Sequence, residues 1–335
     1  MPNIAVLGCG RIGRMHAENI AAHPNATLAG VYDIHAPSAE DVSQHLGVTN
    51  FSSVEEILKS SGVDAILIAT STATHADLIE QAVEAGKPIL CEKPIDLSLD
   101  RVNLCASRIS GSSVPIMLGF VRRFDPGHRS VRNAIADGKL GDLRQVIISS
   151  RDPAIAPDAY IKASGGIFRD MTIHDFDMAR FQTGENIETV YATGSRFVAP
   201  DLMAQCHDFD TISVVLTTKS GKQVLINNSR EAAYGHDQRV EAFGGKGMAI
   251  SENRRNNYAT LHDAHATFQG APLQHFFTDR YREAFFNEIS AFVDAVSKGE
   301  TPEVGFEDGR QALIIAEAAF KSVAEGRAIN SSEIG

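Results

Sequence analysis

Three glycines set directly behind a short β-rich run constrain this chain more than any other feature. The opening NIAVLGCGRIGRMH puts Gly8, Gly10 and Gly13 in G-x-G-x-x-G spacing, between a strand pattern that starts at Asn3 and a helix pattern. Gly8 permits a tight turn, Gly10 lets the backbone approach a pyrophosphate, and Gly13 allows a helix to pack closely on its strand. The helix N-terminus adds N–H donors and positive potential, and Arg11 and Ile12 cover the pyrophosphate through their place in the loop. Asp33 closes the next strand run, GVYD, 20 residues after Gly13. A carboxylate there accepts hydrogen bonds from both hydroxyls of an adenosine ribose and repels a 2′-phosphate. Neither Ile34 nor His35 supplies an arginine for that phosphate. The expected cofactor is NAD, with a simple strand-end turn as the other reading of Asp33.

From Asn3 to about Phe120 the runs NIAVLG, TLAGVYD, VDAILIAT, KPILCE and VPIMLGF alternate with segments of helix length. That rhythm predicts a parallel sheet wrapped by helices, an α/β Rossmann domain over residues 1–120. Beyond it a helix pattern from about Phe124 to Asp137 precedes the strand runs LRQVIISSR, TVYATGSRFV, FDTISVVLTT, KQVLINNSRE and DQRVEAFGG, with few helices between them. Residues 121–335 are therefore expected to form an α+β domain around a largely antiparallel open sheet, closed by helices over Asp279–Ser297 and Glu307–Glu325.

The stretch GGIFRDMTIHDFDMARF places Asp170, His174 and Asp177 among apolar residues. At about 100° per residue, one continuous helix would align positions 170, 174, 177 and 181 in a narrow stripe. Helix capping by Asp170, an interior histidine at His174, or a metal site of Asp170, His174 and Asp177 are the alternatives to a catalytic stripe; no cysteine or second histidine completes a usual metal set, so no metal is expected. In CEKPID, Lys93 follows the fifth strand run, at a carboxyl end of the sheet, where open α/β folds bind ligands.

Five ordered blocks, GCGRIG, ATSTATH at Ala69–His75, EKP at Glu92–Pro94, GFVRRFDP at Gly119–Pro126 and GGIFRDMTIHDFD, resemble the glucose-fructose oxidoreductase and inositol dehydrogenase family over nearly the whole chain. Within that family the overall pattern is most similar to the myo-inositol 2-dehydrogenases. The resemblance implies a catalytic group of Lys93, Asp170 and His174, with a cis peptide bond before Pro94. His174 would be the base for a hydroxyl proton, Lys93 would bind the reacting oxygen, and Asp170 would orient the imidazole. It adds Thr70, Ser71, His75 and Glu92 to the cofactor site, and places Arg123, Asp152, Asp177, Tyr234 and His236 around a polyol ring. It further implies NAD-dependent oxidation of a cyclic polyol and assembly as a homotetramer or homodimer through the open sheet face. Arg123 in an interdomain salt bridge and Tyr234 as an ordinary strand aromatic are the plainer readings of those two residues.

Composition removes other classes. A chain of 335 residues with 43% hydrophobic and 22% charged residues is ordinary globular material, and its formal charge of -11 would repel nucleic acid. No apolar run approaches the roughly 20 residues that span a bilayer. The opening MPNIAVLGCG lacks a signal-peptide pattern, so a cytoplasmic protein is expected. Cys9, Cys91, Cys105 and Cys206 are scattered, as expected of reduced thiols. Two alternatives stay open: a dehydrogenase or reductase of scyllo-inositol, glucose or another sugar, and a non-catalytic NAD-binding sensor.

Overall fold

In a computed structural model describing residues 1–335, the chain forms two compact units, Met1–Val121 with Phe285–Gln311 and Arg122–Ala284 with Ala312–Gly335. The division after Val121 falls beside the boundary expected near residue 120. Residues 285–311, assigned from sequence to the second domain, group instead with the first.

The first unit holds strands β1 (Asn3–Leu7), β2 (Thr27–Tyr32), β3 (Thr49–Asn50), β4 (Ala65–Ile68), β5 (Ile89–Cys91) and β6 (Ile116–Leu118). All pair in parallel, in the order β3-β2-β1-β4-β5-β6. Helices α1 (Arg11–Ala21), α2 (Ala36–Leu46), α3 (Val54–Lys59), α4 (His75–Glu84) and α5 (Leu99–Arg108) connect them. The side chains of Ile4 to Leu7 and of Ala65 to Ile68 are fully buried. Such continuous apolar runs suit strands covered on both faces. The order reverses between β1 and β4, so a crevice opens beyond their carboxyl ends, where such folds bind ligands.

The second unit follows with α6 (Pro126–Ala136), β7 (Leu143–Arg151), α7 (Asp158–Ala163), α8 (Ile167–Asp170), α9 (Ile173–Thr183), β8 (Ile187–Ser195), α10 (Pro200–Gln205), β9 (Thr211–Thr218), β10 (Gln223–Ser229), β11 (Asp237–Gly244) and β12 (Gly247–Ser251). A small hairpin, β13 (Thr260–Leu261) and β14 (Gln269–Gly270), precedes α11 (Phe277–Arg280), α12 (Arg282–Lys298), α13 (Phe306–Glu325) and β15 (Ile329–Asn330). The large sheet runs β12-β11-β7-β10-β9-β8-β15, antiparallel except for the β7–β10 pair. One face is buried through Val190, Val214, Leu216, Val224, Ile226, Val146 and Ile148. The other is open, and strand register lines up Tyr191, Val215, Leu225, Ile147, Glu241 and Ile250 across it.

Residues 285–311 join the first unit through an apolar face and polar pins. Phe285, Ile289, Phe292 and Val293 of α12 are buried. Phe285 meets His16 edge-on with ring centroids 5.6 Å apart, and His23 Nε2 lies 3.0 Å from Ser290 Oγ. Leu118 N–H donates to Val304 O at 3.1 Å. No helix is long and apolar enough to cross a membrane.

The stretch from 165 to 181 is not one helix. α8 starts where Asp208 accepts the Ile167 N–H at 2.8 Å, and it ends at Asp170. At the break, Thr172 N–H bonds to Ile167 O, one residue further back than in a regular α-helix, and α9 restarts at Ile173. The Thr172 hydroxyl is tied to Asn228 at 3.0 Å. A four-residue spacing across this wider turn no longer means a shared helix face, so Asp170 and His174 are carried by separate helices.

Candidate functional site

At the nucleotide end of the first unit, Gly8 has φ +97, and a Cβ there would stand 2.4 Å from Ala69 O. A Cβ on Gly13 would stand 1.9 Å from Gly8 O. Only glycine fits either place. Gly10 differs: it caps α1 with extended backbone, and a Cβ would meet no protein atom within 4 Å. Its surface is open to a ligand at the helix N-terminus, with Arg11 and Ile12 in the first turn of α1. Asp33 follows β2 and accepts the Cys9 N–H at 2.6 Å and the His35 N–H at 2.8 Å. The loop amides orient this carboxylate beside the glycine turn, and each oxygen keeps a lone pair for a ribose hydroxyl. These residues fit a dinucleotide.

Thr70 and Ser71 follow β4 on the same edge, with Thr70 Oγ1 2.7 Å from Thr74 Oγ1. His75 is buried, its Nδ1 2.8 Å from Pro94 O and its Nε2 3.1 Å from Thr70 O. Its ring braces the Thr70 loop against the Pro94 turn. Glu92 and Lys93 follow β5, and the Lys93–Pro94 peptide is cis, as the family resemblance implies. Glu92 turns its carboxylate inward to His16, with Nε2 and Oε1 2.7 Å apart.

In the second unit, Arg123 grips Asp177 with two parallel hydrogen bonds, Nε to Oδ2 at 2.8 Å and Nη2 to Oδ1 at 2.5 Å, both residues being buried. His174 lies one turn before Asp177 on α9 and is half-buried. Asp170 accepts from the Tyr160 hydroxyl at 2.7 Å and from Arg230 Nη1 at 3.3 Å. His236 is buried with Nδ1 3.4 Å from Asp152 Oδ1, and burial lowers its pKa against the pull of that carboxylate. Its imidazole is neutral at physiological pH, able both to donate and to accept. Tyr234 is exposed, its hydroxyl donating to Asp237 at 2.6 Å and accepting from Arg151 at 2.7 Å.

Sequence reasoning did not anticipate Tyr160 and Arg230, the partners of Asp170. It also passed over a second buried pair beside Arg123–Asp177. Arg122 donates to Asp175 Oδ1 at 2.5 Å and to Ser150 at 2.7 Å, while Asn228 donates to Asp175 Oδ2 at 2.8 Å. Two adjacent arginines and the acids of HDFD pair in order, a match of doublets that was visible in the sequence. Asp125, in the same GFVRRFDP block, caps α6 by accepting the Gly127 and His128 N–H groups and binds Arg280 at 2.5 Å.

Comparison with known proteins follows the two units. Residues 2–120 match the oxidoreductase family's NAD-binding Rossmann fold, and residues 128–250 match the GFO/IDH/MocA C-terminal domain. An inositol 2-dehydrogenase of Rhizobium meliloti (strain 1021) is 45% identical over 97% of this chain and 98% of its own length. A crystal structure of a myo-inositol dehydrogenase from Corynebacterium glutamicum superposes with a TM-score of 0.95 at 42% identity, covering 98% of each chain. A scyllo-inositol dehydrogenase from Lactobacillus casei, solved with bound NAD(H) and scyllo-inositol, gives 0.91 at 28% identity over 99% of each chain. The glycine turn with Asp33 and likeness along the whole length agree, and the chain belongs to the GFO/IDH/MocA family of oxidoreductases, with an NAD-binding Rossmann domain.

Proposed function

We propose that this protein is an inositol 2-dehydrogenase that oxidises myo-inositol to 2-keto-myo-inositol with NAD. The observation that carries the reading is full-length likeness to inositol dehydrogenases in a chain whose sequence carries Lys93, Asp170 and His174. NAD, held at Gly8, Gly10, Gly13 and Asp33, supplies the hydride acceptor. In this reading His174 takes the proton of the reacting hydroxyl, and Lys93 donates to the oxygen as negative charge develops on it. Asp170 orients the imidazole, being itself held by Tyr160 and Arg230. Arg123, Asp152, Asp177, Tyr234 and His236 contact the remaining hydroxyls. Their donors and acceptors match a ring that carries both at every carbon. Because Arg123 is already neutralised by Asp177, a neutral polyol suits this group better than an acid. Scyllo-inositol is the second candidate, being the ligand named for the Lactobacillus casei relative.

The test is formation of NADH, followed by absorbance, with myo-inositol, scyllo-inositol and glucose, each with NAD and NADP. Catalytic efficiency should be highest with myo-inositol and NAD, and Asp33→Ala should narrow the cofactor gap by removing ribose contacts and phosphate repulsion together. Higher efficiency with NADP would overturn the role given to Asp33.

The same proposal extends to self-assembly as a homotetramer, or a homodimer, through the open sheet face. The row of Tyr191, Val215, Leu225, Ile147 and Ile250, interrupted by Glu241, is a largely apolar stripe that a monomer would leave in water, and Tyr191, Val215 and Ile250 are each 42% exposed. Light scattering should give a multiple of the chain mass, and Val215→Glu should shift it toward the monomer. A wild-type protein of single-chain mass would contradict this.

A further inference from the structure

Beneath the turn that carries Lys93 lies a buried group to which the reaction above gives no role. His16, on α1, and Glu288, on α12, are both fully buried. One nitrogen or oxygen from each of His16, Glu92 and Glu288 lies within 4.8 Å of the other two, and all three residues belong to the first unit. His16 reaches Glu92 directly at 2.7 Å, whereas neither carboxyl oxygen of Glu288 has a hydrogen-bond partner. Gly119 closes the far side, where a Cβ would stand 3.0 Å from Glu92 Oε2. The Glu92 carboxylate is thus confined by α1, α12 and the turn after β6.

Two ionised carboxylates this close would repel each other at a site where Glu288 is fully buried and Glu92 only partly exposed. Burial first, and then the charge of Glu92, push the pKa of Glu288 well up, which favours its protonated form. A protonated acid is a donor, and a small rotation or one bridging water connects it to a carboxylate at this range. A metal ion fits less well. The 2.7 Å between His16 and Glu92 is shorter than the roughly 3.3 Å edge of a tetrahedral site with bonds of about 2.0 Å.

We propose that His16 and Glu288 are positioning residues for Lys93: imidazole and carboxyl O–H both donate to Glu92, and so fix the strand end from which Lys93 projects relative to the glycine-loop helix. Glu92 and Lys93 are consecutive, so a Glu92 side chain pinned from two sides limits how the lysine backbone can tilt. His16 stands six residues after Gly10, on the helix whose N-terminus follows the glycine turn. The group therefore links the two parts of the first unit that must keep a fixed relation during hydride transfer. This inference rests on the role proposed for Lys93.

The test uses the full chain with Glu288→Gln, which keeps a donor, and Glu288→Met, which keeps the volume but removes it. Infrared difference spectra at neutral pH should show a protonated-carboxyl band in the wild type that both variants lack. In steady state, Glu288→Met should lower kcat about tenfold while the KM for polyol and for NAD changes less than about threefold; Glu288→Gln should restore kcat to within about threefold. Absence of the infrared band, one bound metal ion per chain, or a Glu288→Met enzyme with wild-type kcat and a lowered melting temperature would each overturn the proposal. The infrared arm reads the buried acid whatever the enzyme oxidises, so its failure is distinguishable from failure of the inositol assignment.

Discussion

Lys93→Ala and His174→Ala should each lower turnover by a factor on the order of 100 or more, while NAD still binds. The two residues have different jobs in the proposed reaction, and the variants should fail differently. Without His174 the hydroxyl proton loses its proposed acceptor, so the remaining rate should climb with pH as hydroxide takes over. Without Lys93 the developing alkoxide loses its donor, and the loss should appear in kcat rather than in the KM for NAD. The double variant should cost less than the product of the single losses, because groups acting on one proton and one oxygen are not independent. Single-turnover measurements with myo-inositol check both effects. Near-normal turnover of His174→Ala across the pH range would remove it as the base.

The largest stability effect should come from Arg122. Arg122→Met leaves Asp175 fully buried with only Ser150 and Asn228 to satisfy it. Breaking one side of a buried ion pair costs about 3–5 kcal/mol, a fall in melting temperature of roughly 10 °C for a unit of this size. Burial already pushes the pKa of Asp175 up beside Arg122, and without the guanidinium it should rise further. A folded-state pKa above the unfolded value penalises the native state at neutral pH. That penalty fades as pH falls below the unfolded carboxylate pKa. The deficit of Arg122→Met should therefore shrink under acid, and adding Asp175→Leu should recover most of it, since an apolar pair leaves no buried charge. Denaturation curves at several pH values test this; a deficit below about 1 kcal/mol at neutral pH would contradict it.

The parts legible in the sequence were those set by local pattern. Gly8, Gly10, Gly13 and Asp33 lie within one βαβ unit, where chain geometry alone brings them together. The strand Leu143–Arg151 kept its expected bounds, and the succession of strand runs with few helices between them announced the largely antiparallel sheet. What stayed hidden depended on distant partners. The break between α8 and α9 is tied to Asn228 and Asp208, and neither shows in the periodicity of residues 165–181. Tyr160 sits on a short helix after a loop with no repeating pattern, so nothing local linked it to Asp170. The return of residues 285–311 to the first unit follows from contacts with His16, His23 and Leu118, far away in the chain. The His16–Glu92–Glu288 group is the extreme case, since each member alone reads as an ordinary helix or turn residue.

The central claim is that hydride leaves a ring carbon of myo-inositol for NAD, and the most direct measurement follows the hydrogen itself. Myo-inositol deuterated at C2, incubated with the enzyme and NAD, should yield deuterated NADH and 2-keto-myo-inositol in equal amounts, with Lys93→Ala forming almost none. Formation of reduced cofactor without deuterium, or no reduction with myo-inositol while scyllo-inositol or glucose reacts readily, would contradict the account.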